Sequence, residues 1–184
     1  MPGVRDETPV IEARGLRKTF GDTIALDGID LRVGAGRIVG VIGPNGAGKT
    51  TALNAILGLT PYDGELRVLG RDPWRERASL MSDVAFIADV AVLPRWITVS
   101  QLLEYVAALH PRFDRTRAET FLERTTIRSR VKVKELSKGM IAQLHLAIVM
   151  AIDARLLVLD EEWPRIHETI ERLGLDADEL LRAR

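Results

Sequence analysis

The pattern of apolar and polar positions divides the chain into three stretches. In the first, residues 10–13 and 16–20 read as two short strands separated by Gly15, with Gly21-Asp22 as a turn. Ile29, Leu31 and Val33 are interleaved with Asp30 and Arg32, the two-residue period of a half-buried strand. After Gly34-Ala35-Gly36 comes an unbroken apolar run, Ile38-Val39-Gly40-Val41-Ile42, the pattern of a strand buried on both faces. Residues 51–57 then read as a helix that Gly58 can stop. A turn at Pro61-Tyr62-Asp63-Gly64 leads to a strand over 65–69. In the second stretch, residues 84–88 form another apolar strand, and after Pro94 the period becomes helical. Thr98 with Gln101 is a capping box, followed by Leu102, Leu103, Val106 and Leu109 on one face. Asp114 caps a helix carrying Ala118, Phe121 and Leu122, and Ser137 caps one carrying Ile141, Leu144, Ile148 and Met150. Positions 95–150 therefore read as a mostly helical insert. The third stretch opens on the apolar run Leu156-Leu157-Val158-Leu159, which ends in Asp160-Glu161.

Between the run at 38–42 and the helix at 51–57 lies Gly43-Pro44-Asn45-Gly46-Ala47-Gly48-Lys49-Thr50-Thr51, which is G-x-x-x-x-G-K-T. Strand, glycine loop and helix together are the context of a phosphate-binding P-loop. The glycines let backbone N–H groups curl inward and let phosphate oxygens approach closely, while the helix aims its positive end at the same place. Lys49 is placed to reach the β- and γ-phosphates, and the Thr50 hydroxyl to bind Mg²⁺. Asp160, delivered by an apolar strand, has the chemistry to hold Mg²⁺ through water. Glu161, one residue on, has that of a general base for the attacking water.

Composition adds bounds rather than a direction. The 184 residues are 46% hydrophobic and carry 26 basic and 26 acidic side chains. That balance gives no bulk attraction for nucleic acid. There is no cysteine, hence no disulfide or thiolate metal site. The polar start at residues 1–7 lacks the apolar core of a signal peptide. No run approaches the roughly 20 apolar residues that span a bilayer, so direct membrane insertion is not expected. His110, His145 and His167 are scattered without ligand spacing and read as structural or exposed.

Leu136-Ser137-Lys138-Gly139-Met140, some 20 residues ahead of Asp160, resembles the L-S-G-G-Q signature of the ABC-type ATPases. With the P-loop before it and Asp160-Glu161 after it, the stretch from about Val10 to Glu161 is similar to the ATP-binding subunit of an ABC transporter. The resemblance implies an α/β P-loop nucleotide-binding domain over 1–161, with an N-terminal β-rich layer and a helical subdomain at about 95–150. It implies ATP and Mg²⁺ as cofactors, and a head-to-tail dimer in which Ser137 and Gly139 of one subunit complete the site of a second ATP-binding subunit. It also implies a transmembrane transporter subunit as partner, and a cytoplasmic location at the membrane through that partner. Lys138 and Met140 depart from the usual Gly and Gln. Phe20, 23 positions before Gly43, falls where the family places an aromatic that stacks on adenine; a core phenylalanine is the other reading. Asp89 falls where the family has a Gln or Glu that contacts Mg²⁺, or it is a loop aspartate without special role. Trp96 lies where the family docks its membrane partner, and reads equally as an interface anchor or as a core residue of the insert.

After Glu161 the pattern leaves the family. Glu162-Trp163-Pro164-Arg165 stands where Pro-Thr is usual, and residues 162–184 read as a non-family helical tail, so the domain is expected to be C-terminally truncated. His167 does not match the family's switch histidine. Two functions follow: an ATPase subunit powering a transporter, or a truncated or engineered nucleotide-binding module with little turnover. In this chain, binding is expected to survive better than hydrolysis, because small misplacements of water, Mg²⁺ and γ-phosphate cost about 100-fold. A soluble ABC-type protein of DNA repair or translation would carry a long coiled-coil insert or a second ATPase half. A P-loop small-molecule kinase has no place for the signature.

Overall fold

The computed structural model describes residues 8–37, 39–87 and 93–159. These fall into two compact units that divide between Met81 and Ser82.

The first unit is built on a three-stranded antiparallel sheet. β1 (Ile11–Phe20) lies between β2 (Thr23–Val33) and β3 (Asp63–Val68). The sequence suggests two strands broken at Gly15, but β1 is continuous. Gly15 takes a positive φ of 56° and its N–H donates to Asp30 Oδ1 at 2.7 Å. The irregularity is thus absorbed as a shift in register between Ala13 and Leu16 instead of ending the strand. β3 likewise begins two residues early, with Asp63 and Gly64 in the ladder. Only glycine fits at 64, because a Cβ there would stand 2.4 Å from the Gly15 carbonyl oxygen. Ile11, Ala13, Leu16, Leu26, Val33, Leu66 and Val68 turn inward and are buried. Helix α1 (Lys49–Ile56) packs Ala55 and Ile56 in the same unit, touching β2 and β3. Gly58, at φ 63°, ends it against the Pro73 carbonyl, where a Cβ would stand at 2.0 Å.

The apolar run ahead of the P-loop departs from expectation. Residues 39–42 form no strand; Val39 and Val41 are about half exposed and Ile42 is 96% exposed. Apolar character alone does not make a buried strand. It needs a ladder partner for its N–H and C=O groups, and none pairs with it among the described residues.

α2 (Arg77–Met81) closes the first unit with buried Leu80. The second opens on β4 (Val84–Ile87), which pairs in parallel with β5 (Leu156–Leu159), Val84 opposite Leu156 and Ile87 opposite Leu159. Parallel neighbours need a crossover, and here it holds α3 (Val99–Leu109), α4 (Arg115–Glu123) and α5 (Lys138–Met150). All three helices start where the sequence suggests. Thr98 and Gln101 form the reciprocal box, and Asp114 Oδ1 accepts from Arg117 N–H at 3.0 Å. Leu102, Leu103, Ala118, Phe121, Leu122, Leu144 and Ile148 pack into one core, each buried large side chain contributing about 1.5–3 kcal/mol. Leu109, assigned by its spacing to the apolar face of α3, is instead 65% exposed, one residue before the helix gives way at His110.

Candidate functional site

The P-loop is shaped by its own backbone. Gly46 and Gly48 both stand at φ 84°, left-handed conformations that cost little only for glycine. At Gly48 the constraint is also spatial, since a Cβ would lie 2.3 Å from the Ala25 carbonyl oxygen on β2. A Cβ at Gly43 would lie 3.2 Å from that of Ala47. The loop closes with Ala47 N–H donating to Pro44 O at 3.2 Å. Gly48 is also the N-cap of α1. It has no side chain to cap the helix, and Ala52 N–H donates to its carbonyl at 2.8 Å as the first helical bond. The donors of the first turn are therefore left without a side-chain acceptor at the positive end of the helix.

Lys49 leans back over this loop. Its ammonium donates to the carbonyl oxygens of Gly43 at 2.7 Å and Pro44 at 2.9 Å. Gly43, Pro44, Asn45, Gly46 and Ala47 are exposed, as is Thr50; Gly48, Lys49 and Thr51 are half-buried. A cradle of backbone N–H groups with one ammonium at its edge, open to solvent, suits the phosphates of a nucleotide. For Mg²⁺, Thr50 offers an exposed hydroxyl on the first turn of α1. The other metal residues expected from sequence, Asp89 and Asp160, lie outside the described residues, as do the expected base Glu161 and the tail 162–184. Among the described residues no three His, Asp or Glu side chains gather as a cation site.

Phe20 ends β1 with 54% of its surface exposed, so it is not a core residue. The Lys18 ammonium sits 4.9 Å from its ring centroid, a cation–π contact. This leaves an aromatic face at the surface of the first unit.

In the second unit, Ser137 is the N-cap of α5. Its Oγ accepts from Met140 N–H at 3.2 Å. Ser137, Lys138 and Gly139 are all exposed, and nothing stands within 4 Å of where a Cβ would lie on Gly139. Trp96 is 76% exposed, which rules out a core role in the helical insert. His145 is largely buried on α5, and burial lowers its pKa.

Sequence reasoning passed over two polar clusters that hold loops in place. Asp72 Oδ1 accepts from the Tyr62 hydroxyl at 3.0 Å and from the N–H groups of Trp74 and Arg75. Burial, then the bond to Asp72, push the Tyr62 hydroxyl up to about 12. Burial also pushes the Asp72 carboxyl up, but the bonds from Arg75 N–H, Tyr62 and Trp74 N–H outweigh it and hold the group below its usual value. The other cluster joins Arg112, between α3 and α4, to the buried Asp83 carboxylate before β4 at 3.0 Å. The signal for the first was present in the sequence, since Asp72 followed by Pro73-Trp74-Arg75 is an Asx-turn pattern. The second joins residues 29 apart and had none.

The model of the ABC transporter family matches residues 26–163. The daunorubicin resistance ATP-binding protein DrrA3 of Streptomyces coeruleorubidus is 38% identical over 82% of this chain and 50% of its own length. The Nod factor export ATP-binding protein I of Cupriavidus pinatubonensis is 34% identical over 84% of the chain and 49% of its own. The chain thus spans about half the length of these relatives. Among solved structures, an ATP-binding subunit of an ABC transporter superposes with a TM-score of 0.80 at 22% identity, over 95% of this chain and 75% of that one, a likeness of fold. On the family match and the identity to these relatives, the chain belongs to the ABC transporter family.

Proposed function

We propose that the chain binds Mg-ATP at residues 43–51 and hydrolyses it as the nucleotide-binding part of a transporter. The observation that carries this reading is the start of α1: a left-handed glycine with no side-chain cap, followed by an ammonium poised over the loop. Lys49 exchanges its two carbonyl partners for phosphate oxygens, a charge-assisted bond in place of neutral ones. The N–H groups of the first turn of α1 take the remaining oxygens. Thr50 and Asp160 would hold Mg²⁺, with Asp89 as a further candidate, and the ion would neutralise charge developing on the phosphates. Glu161 would take the proton of the attacking water. Phe20 would stack on the adenine, and the exposed Ser137 and Gly139 would complete the site of a second subunit in a head-to-tail dimer. A transmembrane subunit is the proposed partner, on the cytoplasmic side, with exposed Trp96 as an anchor for it. Relatives named as ATP-binding proteins support this reading over the truncated module of low turnover.

Calorimetry and phosphate release test it together. Lys49→Ala should lose contacts of roughly 1.5–3 kcal/mol in ATP affinity. Steady-state phosphate release at saturating Mg-ATP should exceed that of Glu161→Gln. Equal ATP affinity for wild type and Lys49→Ala removes the P-loop assignment; equal release by wild type and Glu161→Gln removes the assignment of the base. Phe20→Ala should weaken ATP and ADP alike, since both carry the same base; unchanged affinity assigns Phe20 elsewhere.

A further inference from the structure

The sheet of the first unit joins the phosphate loop to the aromatic at the end of β1. A Cβ on Gly48 would lie 2.3 Å from the Ala25 carbonyl oxygen and 3.0 Å from Leu26 Cδ2, so the loop rests on β2 at these two residues. Leu26 is paired across the ladder with Lys18 on β1. Residues directly opposite in an antiparallel pair share a face of the sheet, so Lys18 stands on the face that Leu26 presents to Gly48. Phe20 follows two residues later, one side-chain period and about 7 Å along the strand. The register shifts between Lys18 and Thr19, yet the Lys18 ammonium lies over the Phe20 ring, 4.9 Å from its centroid. Lys18 and Phe20 therefore keep a common face, and the row Gly48, Leu26, Lys18, Phe20 runs from the phosphate cradle to the aromatic within one unit.

Lys18 is the better-held member of the pair. It is half-buried, with buried Leu26 across the ladder, whereas Phe20 is 54% exposed. One face of the ring carries the ammonium, and so much exposure leaves the opposite face to solvent. The two ammonium groups of this region are thus used differently. That of Lys49 is bonded to carbonyl oxygens of the loop, where phosphate oxygens can replace them. That of Lys18 is turned onto a π surface.

We propose that Lys18 is a positioning residue for the nucleotide base: from one face of the Phe20 ring it directs the base to the other and strengthens the stack there. This rests on the reading of Phe20 as the residue that stacks on adenine. Aromatic faces carry negative potential and repel one another when stacked squarely. An ammonium draws π density toward itself, so the far face of the ring becomes less negative and accepts the electron-rich adenine better. The contact also fixes the orientation of an otherwise exposed ring, so less rotamer freedom is lost when the base arrives. Lys18 acts through Phe20 and not through a contact of its own with the nucleotide.

The test is calorimetry on the full chain with ATP and with ADP. Lys18→Met keeps the stem and removes the charge, and should weaken both nucleotides alike, about three-fold. Lys18→Arg should restore most of the affinity, since a guanidinium makes the same contact with the ring. In a Phe20→Ala background Lys18→Met should have no further effect, because a residue that acts through the ring is silent without it. Circular dichroism should be the same for all variants. Unchanged affinity in Lys18→Met, a loss that persists in the Phe20→Ala background, a larger loss for ATP than for ADP, a failure of Lys18→Arg to rescue, or a loss that comes with an altered circular dichroism spectrum each overturns the proposal. A persistent loss, or one confined to ATP, would make Lys18 a nucleotide contact in its own right. Failure of the underlying reading is recognised separately: Phe20→Ala then leaves affinity unchanged, or the wild type binds no ATP, and the role of Lys18 falls with it. Where Phe20→Ala weakens both nucleotides and Lys18→Met weakens neither, only the role of Lys18 is lost.

Discussion

Among the described residues, two glycine-bearing helix starts are of opposite construction. At α1 the N-cap is Gly48, in a left-handed conformation, offering no side-chain acceptor to its first turn. At α5 the N-cap is Ser137, in an extended conformation, with its hydroxyl already bonded to Met140 N–H. Backbone conformation is dictated at the first and ordinary at the second. A Cβ on Gly48 meets a carbonyl at 2.3 Å, whereas one on Gly139 meets nothing within 4 Å. The first start keeps its donors for an outside acceptor and relies on glycine for shape. The second is stable by itself and is exposed for some other surface to use. A helix N-terminus is thus a ligand site only to the degree that its own side chains leave it unsatisfied.

Substitutions can break this contrast. Gly48→Ala should be the most damaging, combining a left-handed alanine with a clash against β2, for a loss of roughly 2–5 kcal/mol in denaturant unfolding. Gly139→Ala should by contrast be neutral or stabilising by up to about 1 kcal/mol, because alanine is the better helix former. If the two alanines cost the same, the loop is not held as described. Next in size is Ser137→Ala, which removes the side-chain acceptor for Met140 N–H at the start of α5 and should cost about 1 kcal/mol. Glycine at 137 should restore most of it, and a loss equal to that of alanine would point to a role beyond capping.

Acid sharpens the comparison between the two units. His145 in the second unit has its folded pKa below 6.5, so the unfolded chain takes up the proton first. Stability should fall as pH drops through about 6.5, and His145→Leu should flatten that part of the curve. In the first unit Asp72 has its folded pKa below 3.8. Its contribution is present above that value and disappears only in stronger acid, and Asp72→Asn should alter the curve there. Tyr62 acts at the other end: its folded pKa of about 12 lies above 10, so its contribution is complete below pH 10 and is lost toward 12. A histidine variant that leaves the curve unchanged near neutrality would show that α5 admits water around the imidazole.

Short-range chemistry was legible. Thr98, Asp114 and Ser137 cap their helices because capping needs only residues three positions apart, and Gly58 ends α1 for a similarly local reason. The P-loop was legible for the same cause, since its glycines, lysine and helix are contiguous. What the neighbouring chain decides was not. Gly15 reads as a break but is a bulge, because β2 and β3 hold β1 on both sides and Asp30 accepts its N–H. Val41 and Ile42 read as core but are exposed, because a buried strand depends on a partner that no local pattern encodes. Phe20, Trp96 and Leu109 are as apolar as any core residue and face solvent, so apolarity alone could not choose between a core role and a contact surface. The sequence by itself determined the local caps, the glycine loop and the order of motifs that marks the family. Tertiary structure alone decided which apolar residues are covered, which charges are paired and which helix start is left open. Hydrogen bonds within a few residues form wherever the chain carries them, whereas burial and pairing depend on what the rest of the chain brings alongside.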